Sequence, residues 1–287
     1  VVHSSHLCRW KLGRRGFTLG AAGAALVTAT RHARAEPKIG AAHLIKPGTL
    51  MMSMNPTLPP MQYVNDKGEL QGMHVDLGNA VAKWLGLEPE YQRVEFAIMV
   101  PGLAARRWDM INTGIYWTEE RSKLMYMVPT ERSSLGFIVA RGNPLKINTW
   151  EDLAGHRVSV ELGGIEERRS RDVDEMLKKA GKPGIEVLTF NNFGSAFQAL
   201  RAGQVDASTV SDSTSMFLQQ RGDFTRAISG MFPQITTIAF ADKTLADGAV
   251  AALNDLRRSG YYDDLLDRYG ILKIEEPTFA IRGTGPV

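Results

Sequence analysis

The sequence predicts an α/β protein built from two units, each a parallel sheet with helices on its faces. Strands and helices alternate in β-α-β-α-β order between residues 49 and 117, and the alternation restarts after residue 135. Length agrees: of 287 residues, 252 remain once the first 35 are set aside as an export segment, enough for one large domain or two small ones.

The elements follow in order. "TLMMSM" (49–54) reads as a strand, and the proline-rich stretch 56–72 as loop and turn. In "VDLGNAVAKWLG", Leu77, Ala80, Val81 and Trp84 recur at helical spacing, with Gly86 as the stop. "PEYQRV" is a second strand, "EFAIMVPGLAARRW" a helix with a proline near its middle, and "DMINTGIYW" a third strand. In the second unit "LGFIVARG" is a strand, and Thr149 and Asp152 form a capping box on a short helix ended by Gly155. "HRVSVEL" alternates Val158, Val160 and Leu162 as a half-buried strand. A charged helix (165–180), the strand "IEVLTF", the helix "SAFQALRAG" and "VDASTV" come next, and the chain ends in two helices.

The N-terminal segment carries paired Arg14 and Arg15, a short Gly/Ala-rich apolar run and Ala33-Arg34-Ala35. That pattern is an export signal of the twin-arginine type, expected to be cleaved after Ala35; its apolar run is too short to span a membrane. The segment holds six of the 34 basic residues and none of the 31 acids, so the remainder carries 28 against 31, and the basic balance belongs to the signal. Charge therefore gives no reason to expect a nucleic-acid or membrane-surface partner. The sole cysteine, Cys8, lies in the same segment, which leaves the rest without disulfides, thiol nucleophiles or cysteine metal sites. His43, His74 and His156 are too scattered to suggest a metal, and no H-E-x-x-H, G-x-S-x-G, P-loop or G-x-G-x-x-G motif occurs. No cofactor is expected.

One short stretch points to a ligand. In "GIYWTEER" (114–121) a strand turns into a helix capped by Thr118, with Glu119 and Glu120 in its first turn. Arg121 gains nothing from that dipole; it is a solvated charge, or it is aimed at an anion that the N–H groups of the turn also face.

The blocks "PPMQYVNDKGELQGMHVDLGNAVAKWLGL", "PGLAARRWDMINTGIYWTEERSK", "WEDLAGHRVSVELGG", "ALRAGQVDAS" and "SGYYDDLLDRYG" resemble, in order, the signature blocks of the bacterial extracellular solute-binding proteins, family 3, over nearly all of residues 45–275. The resemblance implies the two-lobed periplasmic-binding-protein fold (type II), parallel-sheet lobes joined by two crossing strands. Residues 36–140 with 234–287 would form one lobe and 141–233 the other, with the ligand between them. It further implies a monomer that delivers an amino acid or related small carboxylate to an ABC permease. Arg121 is then the partner of the ligand's carboxylate, and Phe96 an aromatic wall. Asn55 reaches the ligand's far end, and the carbonyls of Thr113 and Gly114 receive its ammonium. Gly163, Gly164 and Ile165 match a turn whose N–H groups complete the carboxylate site.

Two positions depart from the family pattern. Tyr116 replaces a small hydroxyl residue, and the acid that binds the ammonium falls at Ser211 by spacing, with Asp212 one residue later. Either Asp212 serves from a shifted loop or the acid is missing. Two alternatives to a carrier are a ligand sensor for a membrane receptor and a cyclohexadienyl (arogenate) dehydratase. The acid for the latter would come from Glu161 or Glu166, otherwise ordinary surface charges at a helix start.

Overall fold

The computed structural model describes residues 38–286; the expected export signal and Cys8 lie outside them. The first lobe opens with β1 (Thr49–Met54), β2 (Thr57–Leu58), β3 (Gln62–Val64), β4 (Leu70–Gln71) and α1 (Met73–Leu85). It continues through β5 (Glu88–Arg93), α2 (Met99–Ala104), β6 (Met110–Tyr116) and α3 (Glu119–Ser122) into the long strand β7 (Tyr126–Val139). The second lobe follows as β8 (Arg157–Glu161), α4 (Ile165–Lys179), β9 (Glu186–Phe190), α5 (Phe193–Arg201), β10 (Ala207–Ser211) and α6 (Asp212–Gln220). A second long strand, β11 (Thr225–Phe240), leads to α7 (Lys243–Arg258) and α8 (Tyr261–Tyr269).

One eight-stranded sheet runs through both lobes in the order β5-β1-β6-β11-β7-β10-β8-β9. Its ends are parallel, β5-β1-β6 and β10-β8-β9, each built by helical crossovers, while β11 and β7 pair antiparallel with each other and with their outer neighbours. The same β-α-β-α-β unit is thus used twice, and two long strands join the copies. Helices α7 and α8 return to the first lobe: Leu245, Ala249 and Leu253 share a core with Leu77, Val81 and Leu85 of α1. The buried Tyr262 hydroxyl of α8 donates to the carbonyl of Thr130 on β7 (2.8 Å), fixing the strand that crosses beside the cavity. The second lobe has its own core, with Phe137, Val158, Val160, Val173 and Leu177 at its centre.

Several elements differ from the sequence reading. The proline-rich stretch forms a small antiparallel sheet, β2-β3-β4, in place of a loop. The helix expected from residue 95 is a 3-10 turn at Phe96–Ile98 running into α2, which carries Pro101 in its first turn, where a missing N–H is tolerated. The helix after Thr118 is one turn long. Thr149 and Asp152 do form a capping box, on the 3-10 turn Trp150–Leu153. Strand β8 is buried from Val158 to Glu161 on both faces and stops before Leu162, which is 40% exposed; helices cover both sides of a parallel sheet, so alternation is lost. Residues 212–241, unassigned by pattern, supply α6 and β11. Pairing with β10 already begins at Leu135, ahead of the division expected at residues 140/141.

Candidate functional site

Parallel strands leave a crevice at their carboxyl ends, and these ends face one another across the two lobes. Asn55 follows β1, Tyr116 ends β6, Glu161 ends β8 and Ser211 ends β10. All four line a cavity of about 240 Å³ between the lobes. Phe96, Thr113, Gly114, Ile165 and Asp212 line it too, so the structure gathers most of the expected residues into one site.

Its first-lobe wall is a buried polar set that sequence reasoning missed. Gln62 Nε2 donates to Thr113 Oγ1 (2.9 Å) and approaches the Thr113 carbonyl (3.3 Å), which turns Gln62 Oε1 toward His74 Nδ1 at 2.7 Å. His74 Nε2 lies 2.9 Å from Glu131 Oε1. Both ring nitrogens therefore face acceptors, an arrangement that the doubly protonated imidazolium satisfies. Glu131 is 1% exposed, and its other oxygen, Oε2, has no hydrogen-bond partner among the described residues. Burial alone would raise the Glu131 carboxyl, but the charge and hydrogen bond of His74, aided by the nearby Thr130 and Thr236 hydroxyls, outweigh it and hold it below its ordinary value. Gly114 makes room for this arrangement: at φ 67° it lies in the left-handed region, and a Cβ there would sit 2.4 Å from the His74 ring.

The second-lobe wall carries two more carboxyls. Glu161 and Glu166 are each 4% exposed, so neither is the surface charge that its place at a helix start suggests. Burial, reinforced by the charges of Glu166 and Glu95, raises Glu161 well above the carboxylate range, against the hydrogen bond from Asn55 Nδ2 at 2.5 Å. Burial pushes Glu166 up to about 7, offset in part by its own backbone N–H and by Arg121. Both are thus poised to hold a proton near neutrality.

Arg121 is not among the cavity-lining residues. Its backbone N–H is capped by Thr118 Oγ1 (3.1 Å), as the sequence implies. The guanidinium donates to the carbonyls of Tyr116 (3.0 Å) and Gly163 (3.3 Å) and lies 5.4 Å from the centre of the Phe96 ring. Burial lowers its pKa, opposed by the Glu166 charge. The donors of the adjacent turn are also engaged: Gly163 N–H donates to Glu167 Oε2 (3.0 Å) and Gly164 N–H to the Glu161 carbonyl (3.2 Å). The protein's own Glu166 and Glu167 thus occupy the positive end of α4 and the flank of Arg121, where the resemblance puts a ligand carboxylate.

Both candidates for the ammonium-binding acid have structural work. The Ser211 hydroxyl caps α6 by accepting from Thr214 N–H (3.4 Å). Asp212 Oδ2 accepts from Ser134 Oγ (2.5 Å) and Gly230 N–H (2.6 Å), and Oδ1 lies 3.2 Å from the Arg226 guanidinium. Asp212 ties α6 to β7 and β11; its Oδ1 accepts no hydrogen bond among the described residues but lies beside the Arg226 cation, whereas Oε2 of Glu131 has neither a hydrogen bond nor a cation of its own there. Tyr116 is a buried wall, its hydroxyl donating to Ser133 Oγ (3.2 Å) and its pKa raised well above normal by burial and the Glu166 charge. Among the described residues no cluster of metal-ligating side chains occurs, and no helix is long and apolar enough to cross a membrane.

Residues 50–271 match the bacterial extracellular solute-binding proteins, family 3. The chain belongs to this family. Among its relatives, the L-cystine-binding protein TcyJ of Escherichia coli K12 is 29% identical over 64% of this chain and 66% of its own length, so the alignment spans just under two thirds of that relative. The lysine/arginine/ornithine-binding periplasmic protein of the same organism is 25% identical over 78% of this chain and 88% of its own. A solved ancestral arginine-binding protein bound to arginine superposes with a TM-score of 0.68 at 29% identity, covering 77% of this chain and 98% of its own. A mutant of ArgBP from T. maritima gives 0.66 at 28% identity, over 78% and 95%. These solved structures share the fold described above.

Proposed function

We propose that the chain is the extracytoplasmic substrate-binding protein of an ABC importer, taking an amino acid or related small carboxylate into the cavity between its lobes. The observation that carries this is the unpartnered Oε2 of Glu131 on the wall of an interlobe cavity. A buried carboxylate oxygen without a donor is costly, and a ligand ammonium or guanidinium would supply the missing partner. In this reading Glu131 takes the role sought at Ser211 or Asp212, with the carbonyls of Thr113 and Gly114 beside it and Phe96 and Tyr116 as walls. Arg121 and the Gly163–Ile165 turn receive the ligand's carboxylate when it displaces the Arg121–Gly163 contact, and the neighbouring Glu166 holds a proton to avoid repulsion. Amino acid specificities among the relatives' names support the same ligand class.

The lobes would divide within β7 and β11, near the expected 36–140 with 234–287 and 141–233. The protein works as a periplasmic monomer, released by cleavage after Ala35 and docking on permease subunits. A thermal-shift screen of amino acids, cyclic imino acids, betaines and dicarboxylates tests the proposal. A true ligand at a hundred times its dissociation constant stabilises by about 2.7 kcal/mol. A panel in which nothing shifts the melting temperature would overturn it.

Glu166, buried in the cavity with a pKa of about 7, favours one second reading: a carboxylic acid placed over a carboxylate substrate, as dehydration of prephenate or arogenate needs. Release of phenylpyruvate from prephenate or of phenylalanine from arogenate, lost in Glu166→Gln, would establish the enzyme; its absence leaves the carrier.

A further inference from the structure

A second compartment, of about 570 Å³, opens beside the ligand cavity and shares Arg132, Ser133, Ser134 and Leu272 with it. Three arginines line it, Arg132 of β7, Arg169 of α4 and Arg282 from the segment after α8, and no acidic residue does. Their donors are incompletely used. Arg169 is bonded to Asp172 through Nη1 (2.7 Å) and lies over the Phe232 ring (5.2 Å), but its Nε is buried without a partner. Gln234 Nε2, also on the lining, is buried and unpartnered as well. Arg282 stacks on Trp117 at 4.6 Å, and no carboxylate among the described residues pairs with it. Arg132 is the most engaged, through the Lys273 carbonyl (2.9 Å) and Glu275.

Buried donors without acceptors, Arg169 Nε and Gln234 Nε2, beside Arg282, the one lining arginine without a carboxylate partner among the described residues, call for an anionic acceptor. We propose that this compartment is a binding site for a small oxyanion, a carboxylate or phosphate group, held by Arg282, the Nε–H of Arg169 and the amide of Gln234, with Trp117 as a flat wall. Arg169 belongs to the second lobe, and Arg132 and Arg282 pack with the first. An oxyanion there bridges the lobes beside β7 and β11 and favours their approach. The group comes either as a free anion or as the anionic end of a ligand seated in the adjoining cavity.

The test is titration of the purified protein with inorganic phosphate, followed by calorimetry and by melting temperature against chloride at equal ionic strength. Saturable binding is expected, weakened about ten- to a hundredfold by Arg282→Gln and again by Gln234→Glu, which puts a carboxylate beside the anion. Two variants on separate segments guard against a fold defect in either. Phosphate binding that survives Glu131→Gln and saturation with a ligand from the screen marks a free anion; displacement by that ligand marks the ligand's own anionic end. Binding no tighter than chloride, or unchanged in both variants, means an adventitious ion only and overturns the site. A failed amino acid screen with intact phosphate binding leaves this inference standing without the transport reading.

Discussion

At the scale of single residues, the proposed function makes the charge on Glu131 the determinant of what the cavity accepts. Glu131→Gln keeps the shape but removes the anion facing a bound cation, so an ammonium ligand should lose about 100-fold or more in affinity by calorimetry. Asp212→Asn should instead destabilise the fold, because Asp212 holds Ser134, Gly230 and Arg226 together. Retained affinity in the first variant with lost affinity in the second would move the cation site to α6. Glu166 gives the second residue-scale expectation. Its folded pKa of about 7 stands above the ordinary 4.5, so its favourable share of stability is complete below about pH 4.5 and is lost as pH rises through 7. The loss is about 3 kcal/mol. Glu166→Gln should therefore gain on the native protein between pH 5 and 8 in denaturant melts; parallel curves would rule out a buried, titrating Glu166. Glu161 adds slope of the same sign, and because the Glu166 charge helps to raise it, Glu166→Gln lessens that slope too and widens the difference in the same direction. These acids were half legible in the sequence. Glu161 and Glu166 stood beside a marked Gly-Gly turn, yet nothing local told a buried acid from a helix-start charge. Glu131 and His74 left fainter signals, an acid inside an apolar strand and a histidine on the apolar side of α1. Their meaning depends on a contact 57 residues apart in sequence.

At the scale of elements, regular periodicity was readable and its interruptions were not. Helix α1, the charged α4 and the parallel strands follow from spacing and caps. The crossing strand β11 carries Gly230 and Pro233 and shifts register at Arg226/Ile228, Ile228/Met231 and Met231/Gln234, which removes the two-residue alternation a strand is recognised by. Strand β6 shows how an element positions chemistry. Gly114→Ala forces a positive φ on a residue with a Cβ and drives that Cβ into the His74 ring, so it should lower both the melting temperature and ligand affinity. Gly163→Ala meets only ordinary contacts, 3.7 Å to Ala97, and should cost about 1–2 kcal/mol for its left-handed backbone alone. Equal losses in the two would mean that the His74 contact carries no weight.

At the scale of the whole molecule, the polar bridges between the lobes at the cavity mouth are few and weak, beside an apolar contact in which Tyr63 of β3 meets Phe217 of α6 at 6.1 Å. Asn55 Nδ2 donates to Glu161, Arg121 to the Gly163 carbonyl and Asn192 Nδ2 to Glu95 Oε1 (3.0 Å), while Arg168 and Glu120 approach only to 3.8 Å. Each such bond contributes about 1 kcal/mol net, and the exposed ion pair less. A few bonds of this size leave an opened state within reach, and the joining strands can absorb the motion: Phe232 sits at φ 49° next to Pro233, between two register shifts of β11. A ligand that pairs Glu131 on one lobe and the Arg121–Gly163 region between lobes contributes only to the closed state, so it shifts the population toward closure. Small-angle scattering of the protein should show a smaller radius of gyration with saturating ligand than without. Asn55→Ala removes one bridge, so it should enlarge the ligand-free form and weaken apparent affinity by the lost closed fraction. Arg121→Ala removes the expected carboxylate partner as well as a bridge, and should abolish measurable binding of any carboxylate ligand. An unchanged radius on saturation, with Asn55→Ala indistinguishable from the native protein, would mean that the lobes do not move and that ligand must reach the cavity by another route.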